Sequence, residues 1–550
     1  MKKIIASLFC AVLVNASANN EVLNITDKNF KVTLDWLDEK PKSYAKDFFI
    51  IQYLKQKDIS QENAQNAYDM AKSKSGRVKK AFNKKFSTIP NKDLKCYRAS
   101  AKELLKEDSR CIALGLSIFD ATKMSKNDLN FAIEKIAKYP TLKNDLKIIA
   151  SNDPFNELIN TNTNRFYRLF FDTRKNYRQN IIDHIIPNTF IDKISKEKNF
   201  NKFISYAVHR DELNNLQKSL FNVKNNSLLT HQTFFSLALN AINHKQEETA
   251  LNYLQIAYKK AYFQSTKDKT LFWIYLLTQN KSFLHEVSNS WDNNIYSLYA
   301  KELLNVDINN IYYDIDIPNT KTSYNTLDQF EWIKVEADTK KNLDDKKLEK
   351  YSNLFTDSST LPHYAYVLER HSRYKKQYFI KPFRDVMKNY DINRQVLMYA
   401  IGRQESRFIP SAVSFATAQG VMQIMPFLSK ALAKQLNEPY NIYEQFLPEV
   451  NLRYANKHLN SLSKQFNNNP LFIAYAYNGG PGYTRKQFKR GLFKEKNRFE
   501  PFMSMEQISY DETRKYGRKV LTNYYVYNNH LNKENKLSLS SILQTLVLPN

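Results

Sequence analysis

The chain has 550 residues and a formal net charge of +27, from 82 Lys and Arg against 55 Asp and Glu. That length exceeds one ordinary core and predicts two or three domains, and an aromatic share of 13% excludes a disordered polymer. The charge fits an anionic partner (nucleic acid, an acidic membrane surface or a polyanionic cell-surface polymer) and equally a coding bias toward Lys and Asn, so it selects no partner by itself.

The first residues, MKKIIASLFCAVLVNASANN, place Lys2 and Lys3 before a mostly apolar run from Ile4 to Val14 and then Ala16-Ser17-Ala18. This is the pattern of a secretory signal peptide, residues 1–18, with cleavage expected after Ala18. The run is too short to span a bilayer, and Phe9 makes Cys10 a poor lipobox cysteine. No later segment approaches 18 consecutive apolar residues, so no transmembrane segment is expected. Two cysteines remain after the cut, Cys96 and Cys111. In an oxidising compartment they can form a disulfide, and the alternative is two packed thiols. No CxxC, HExxH or zinc-spaced Cys/His set occurs, so neither a metal site nor a cofactor is expected.

Residues 19–310 read as helix after helix. In Thr233 to Tyr262, one apolar stripe (Phe234, Phe235, Ala238, Ala241, Ile242) and a second (Ala250, Leu251, Leu254, Ala257, Tyr258) flank a polar turn at 243–246. Stacked hairpins of this kind build an α-superhelix, ring- or arch-like. The stretch 306–322 loses helical period and predicts a boundary, and 311–375 then holds two or three helices as a small linker domain. Seven of the nine glycines follow residue 400, which predicts a C-terminal domain of different architecture over 376–535, with 536–550 as a tail.

That domain opens with YAIGRQESRFIP. Leu397, Ile401 and Glu405 share one helix face, so a carboxylate lies on the side that packs inward. Three further blocks follow in order: SFATAQGVMQIMP, AYAYNGGPGY and YDETRKYGRKVL. Together the four blocks resemble those of the soluble lytic murein transglycosylases over roughly residues 385–530. The resemblance implies a lysozyme-like catalytic domain on a helical ring. It also implies a periplasmic enzyme that cleaves the β-1,4 bond between N-acetylmuramic acid and N-acetylglucosamine in peptidoglycan, leaving 1,6-anhydromuramoyl ends. The expected partners are glycan strands and proteins of wall synthesis or secretion. Nucleic acid is not expected, and a monomer is.

The residues support a chemistry beside that resemblance. A carboxyl on an apolar face is desolvated and stays protonated near neutral pH, the state a general acid requires. Glu405 is therefore the candidate catalytic residue, and the bland alternative is a solvated carboxylate paired with Arg403 or Arg407. No acidic residue lies between Glu405 and Glu438, so a second carboxylate, as ordinary glycoside hydrolysis needs, is missing nearby. Glu438, Glu444 and Glu449 are the next candidates along the chain. A missing partner fits substrate assistance, with Glu405 acting as acid and then as base. By the resemblance, Ser414 lies near the acid, and Gln423 and Met425 line the sugar groove. Tyr477 lies beside the reacting sugar, Asn478 next to it is a further substrate-binding candidate before a turn of small residues, and Glu512 contacts the glycan or its peptide stem, an ion pair with Arg514 or Lys515 being its alternative.

Three positions depart from the family blocks. Thr417 stands for Gly, and a β-branched residue does not readily take positive φ, so this loop is expected to differ if the glycine uses that geometry. Val421 stands for Leu. Gly517 stands for Val and is expected to remove a packing contact. A lysozyme-type muramidase using water and a non-catalytic peptidoglycan-binding scaffold are the competing functions.

Overall fold

A computed structural model describes residues 30–86 and 91–547. The expected signal peptide, residues 1–18, lies outside the described residues. Among those described, the chain is almost entirely helical, and its one sheet is a two-stranded parallel pair. No described helix is long and apolar enough to cross a membrane.

The N-terminal region is a superhelical stack of short helices. Its hairpin follows the expected stripes. The helix His231–Asn243 begins at Thr230, whose side chain accepts the Thr233 N–H, and Phe234, Phe235, Ala238 and Ala241 are fully buried. The return helix Glu247–Lys260 carries Glu247 and Glu248 in its first turn and Lys259 and Lys260 in its last, so its ends complement the helix dipole. Helix Gln264–Thr278 stacks next. Further toward the N-terminus, Cys96 and Cys111 are joined by a disulfide with Cα atoms 5.1 Å apart.

Past helix Ile295–Leu304 the helical period stops. Strand Ile311–Tyr312 pairs in parallel with Gln377–Tyr378, Ile311 opposite Gln377 and Tyr312 opposite Tyr378. This pairing brackets three helices, Gln329–Lys340, Asp345–Leu354 and Leu361–His371. They enclose a separate core of Tyr324, Trp332, Val335, Tyr351, Phe355 and Val367, joined by Ile409 from the C-terminal domain.

In that domain the acid-bearing helix Ile392–Glu405 starts at Asp391, whose carboxylate accepts the Arg394 N–H. It packs along the long helix Asp511–Leu531, where the Asn523 amide donates to the Ala400 carbonyl. Both ends of the N-terminal stack rest on the C-terminal domain. At one end Trp36, Phe48 and Phe49 share an aromatic cluster with Phe330 of the linker and Tyr443 and Phe446 of the C-terminal domain. Each fully buried Phe contributes about 2–3 kcal/mol of transfer free energy. At the other end Phe272 packs on Phe502 at 4.7 Å. There the buried Glu506 accepts from Tyr296 and Arg518 at 2.7 Å each, with Lys269 and Arg514 at its edge. The segment expected as a tail carries a helix, Leu539–Gln544, whose buried Leu539, Ile542 and Leu543 seal it against the core while Glu302 accepts the Ser540 N–H.

Candidate active site

The acid-bearing helix ends in a turn of unusual backbone. Arg407 and Phe408, directly after Glu405-Ser406, both have positive φ, 58° and 67°, which costs about 1–3 kcal/mol per non-glycine residue. Tertiary contacts hold the turn. The Phe408 ring is buried and lies where a Cβ at Gly402 would come within 2.9 Å of it, so the glycine of AIGRQES makes room for this ring. Arg407 reaches into the linker domain, where its Nη1 bonds Glu369 Oε2. Arg403, one turn earlier on the same helix, donates from Nη2 to Glu369 Oε1 at 2.6 Å. Both arginines that could have paired with Glu405 are thereby engaged elsewhere.

Glu405 is half-buried. Its Oε1 accepts the Tyr516 hydroxyl at 2.7 Å. Burial pushes its pKa up to about 8; the Tyr516 hydrogen bond pulls in the opposite direction, and the negative charge of Glu512 adds to the rise. The carboxyl is therefore protonated at neutral pH. Because Tyr516 occupies Oε1 as a donor, the acid proton belongs on Oε2.

The structure brings Glu512, Tyr477 and Asn478 to the same place. Glu512 is exposed and bonds Asn478 Nδ2 at 3.1 Å, while the Thr513 hydroxyl holds Asn478 Oδ1 at 2.6 Å. Arg514 and Lys515 both pair with Asp511 rather than Glu512. Glu512 is thus a carboxylate close enough to act on Glu405 through its charge, brought in from 107 residues away, whereas Glu438 is taken by Arg453. Burial raises the Tyr477 hydroxyl well above its usual pKa, with ionised Glu405 adding to the rise, and the hydroxyl donates to the Met422 carbonyl at 2.7 Å, which binds this helix to the second block. His458 packs beside it, ring centroids 5.5 Å apart.

The second block is a loop braced from within. The Ser414 hydroxyl accepts the Ala418 N–H at 2.9 Å and caps the 414–418 turn. The Gln423 amide donates to the carbonyls of Ala412 and Gly420, so its nitrogen serves the loop. Met425 stands half-buried at the start of helix Pro426–Leu436. Thr417 corrects one expectation: it is buried and takes φ of 63°, so the β-branched residue adopts the left-handed geometry, its N–H donating to the Ser414 carbonyl. Gly517 corrects another. A Cβ there would lie 2.1 Å from Cε1 of the buried Tyr475 ring, so the missing side chain leaves no gap. Val421 is fully buried, and nothing in its packing explains the change from Leu.

Three residues of the site are not singled out by the sequence, although Tyr516 stands inside the fourth block. Tyr516 lies four residues after Glu512 on one helix face, and that spacing could have found it. Asn451 is fully buried and accepts the Met422 N–H at 2.7 Å while donating to the carbonyls of Gln419 and Gln445. Its partners are 29 or more residues upstream for the loop, beyond any local pattern. Glu369 likewise has no local signal.

Comparison with known proteins adds the following. The family model described as "Transglycosylase SLT domain" matches residues 381–499. The soluble lytic murein transglycosylase of Escherichia coli K12 is 34% identical over 152 residues, 26% of this chain and 23% of that protein. That of Salmonella typhimurium LT2 is 37% identical over 142 residues, 26% of this chain and 21% of that protein. The alignments thus span under a quarter of these relatives' length. Among solved structures, the lytic transglycosylase Slt of Pseudomonas aeruginosa aligns with a TM-score of 0.44 at 14% identity, over 90% of this chain and 82% of that one. The 70 kDa soluble lytic transglycosylase of E. coli gives 0.40 at 18% identity, over 92% and 84%.

Proposed function

We infer, from the match of residues 381–499 to the transglycosylase SLT domain model, that this protein is an exported peptidoglycan lytic transglycosylase acting in the periplasm. The observation that carries the reading is the Glu405 carboxyl, half-buried, oriented by Tyr516 and kept protonated near neutral pH. In the proposed reaction the Oε2 proton passes to the glycosidic oxygen as the C1–O bond breaks. The 2-acetamido oxygen of the muramoyl residue stabilises the cation at C1. The Glu405 carboxylate then takes the proton of the C6 hydroxyl as its oxygen closes on C1. The acid is regenerated and no water is consumed. Tyr477, Asn478, Gln423, Met425 and Ser414 would shape the groove, and the +27 charge of the chain suits glycan strands whose peptide stems carry carboxylates.

One observation favours a second reading. Glu512 lies within electrostatic range of Glu405, so a carboxylate is at hand to activate water as in a muramidase. Mass spectrometry of digested sacculi separates the two. Anhydro ends, one water lighter than reducing ends, are expected from the wild type, and Glu512→Gln should retain part of the activity. Reducing ends, with Glu512→Gln as inactive as Glu405→Gln, would establish the hydrolase instead.

Tyr516→Phe tests the orientation of the acid. The bond favours the carboxylate, so its loss raises the Glu405 pKa further and moves the alkaline limb of the pH–rate profile upward. The maximal rate should fall about tenfold, since the proton is no longer directed to Oε2. An alkaline limb that moved down would contradict this role.

A further inference from the structure

We propose that Glu369, in the linker domain, is a positioning residue that keeps Arg403 and Arg407 off the Glu405 carboxyl and so preserves it as an acid. The proposal rests on the reading of Glu405 given above and adds to it a residue from a different domain.

The geometry is specific. Glu369 is 2% exposed, and each carboxylate oxygen takes one arginine, Arg403 on Oε1 and Arg407 on Oε2. The same Oε1 accepts the Tyr378 N–H at 2.9 Å, so strand Gln377–Tyr378 fixes the carboxylate in place. Arg403 is also held by the Tyr378 carbonyl at 3.3 Å and lies over the Phe379 ring at 4.0 Å. Among the described residues Arg407 has no such second hydrogen-bond anchor, and it is partly exposed. It is two residues from Glu405, in a left-handed turn. Without Glu369 it is the cation free to swing onto the acid.

The other charged and titratable groups around Glu405 cannot substitute for this arrangement. Helix Asp511–Leu531 presents Tyr516 and Glu512 to the carboxyl, and helix Pro470–Gly479 presents Tyr477. None of these is a cation. Lys519, on the former helix, faces Arg407 and repels it, which adds to the drive toward a carboxylate once Glu369 is lost. An opposite charge at Glu405 would favour its ionised form.

The test is the pH–rate profile of sacculus solubilisation for wild type, Glu369→Gln, Arg407→Gln and the double variant. In Glu369→Gln the alkaline limb should move at least one unit toward acid, and activity above the new limb should fall about tenfold. Arg407→Gln alone should leave the limb where it is, and the double variant should restore it. Glu369→Asp, one carbon shorter, keeps a counter-ion for Arg403 and should show the same displacement in smaller measure if Glu369→Gln fails to fold. A Glu369→Gln enzyme that loses rate with its limb in place, or a displacement that persists in the double variant, would overturn the proposal. A readout independent of turnover separates this from failure of the Glu405 reading. For each protein, the thermal midpoint is compared with that of its Glu405→Gln counterpart from pH 5 to 9, and the pH at which their difference stops growing reports the titration of Glu405 in the folded protein. That pH should be lower in the Glu369→Gln background, whether or not the wild type proves to be a transglycosylase.

Discussion

Replacing Glu405 by glutamine is expected to lower glycan cleavage by about 10³-fold or more, as its proposed role as acid and then base requires, and to make the protein more stable at alkaline pH. The second effect follows from the same burial. The folded-state pKa is raised from 4.5 to about 8, so the folded chain holds a proton that the unfolded chain releases between those values. Stability is fully present below pH 4.5 and declines as pH rises toward 8, after which it levels off. At 1.36 kcal/mol per unit the decline is roughly 2–4 kcal/mol, allowing for the part of the residue that solvent reaches. Glutamine has no such proton to lose. The variant's thermal midpoint should therefore match the wild type near pH 5 and exceed it increasingly up to pH 8. Equal midpoints throughout would mean that the carboxyl is solvated and ionised at neutral pH, and the acid role would fall with them.

Gly517→Val, which installs the residue usual in the family, is expected to destabilise the C-terminal domain by about 2–3 kcal/mol. Overlap with Tyr475 cannot be relieved cheaply. The ring is fully buried among Phe493, Leu471 and the helix bearing Gly517 itself, and its own space is already filled. Pairing the change with Tyr475→Leu should return at least half of the lost stability, because the branched side chain then occupies the ring's volume. Activity should fall in the single variant as well. Gly517 adjoins Tyr516, so a shift of the backbone there moves the hydroxyl that orients Glu405. Thermal unfolding and sacculus assays of the single and double variants check both effects. A single variant as stable as the wild type would show that the ring can yield.

Much of the scaffold was legible in the chain because its causes are local. The stripes at 234–242 and 250–258, the polar turn between them, and the loss of period after residue 305 each follow from side chains a few positions apart. The raised pKa of Glu405 was legible for the same reason: an apolar helix face is visible in twelve residues. What escaped depends on contacts that sequence spacing does not encode. No neighbour along the chain marks Glu512 as a second carboxylate for Glu405, because only the fold returns it to that side. Glu369 and Asn451 act on segments tens of residues away. Thr417 and Gly517 are decided less by intrinsic preference than by surroundings: a turn that Ser414 closes around the first, and a neighbouring ring that fills the space of the second.

The shared aromatic cluster of Trp36, Phe48, Phe49, Phe330, Tyr443 and Phe446 has a consequence for dissecting the protein. A domain that can be cut free must own its surface, and this one does not. Excising the N-terminal stack would uncover Phe446, now fully buried, together with the face around Phe502 and a Glu506 stripped of Tyr296 and Lys269. The isolated C-terminal piece would carry two adhesive scars and an exposed charge cluster whose arginines, Arg514 and Arg518, lie on the very helix that holds Tyr516. Its activity would report on those scars as much as on the missing stack. The contribution of the stack is better read from point changes at one seam at a time, with the chain intact.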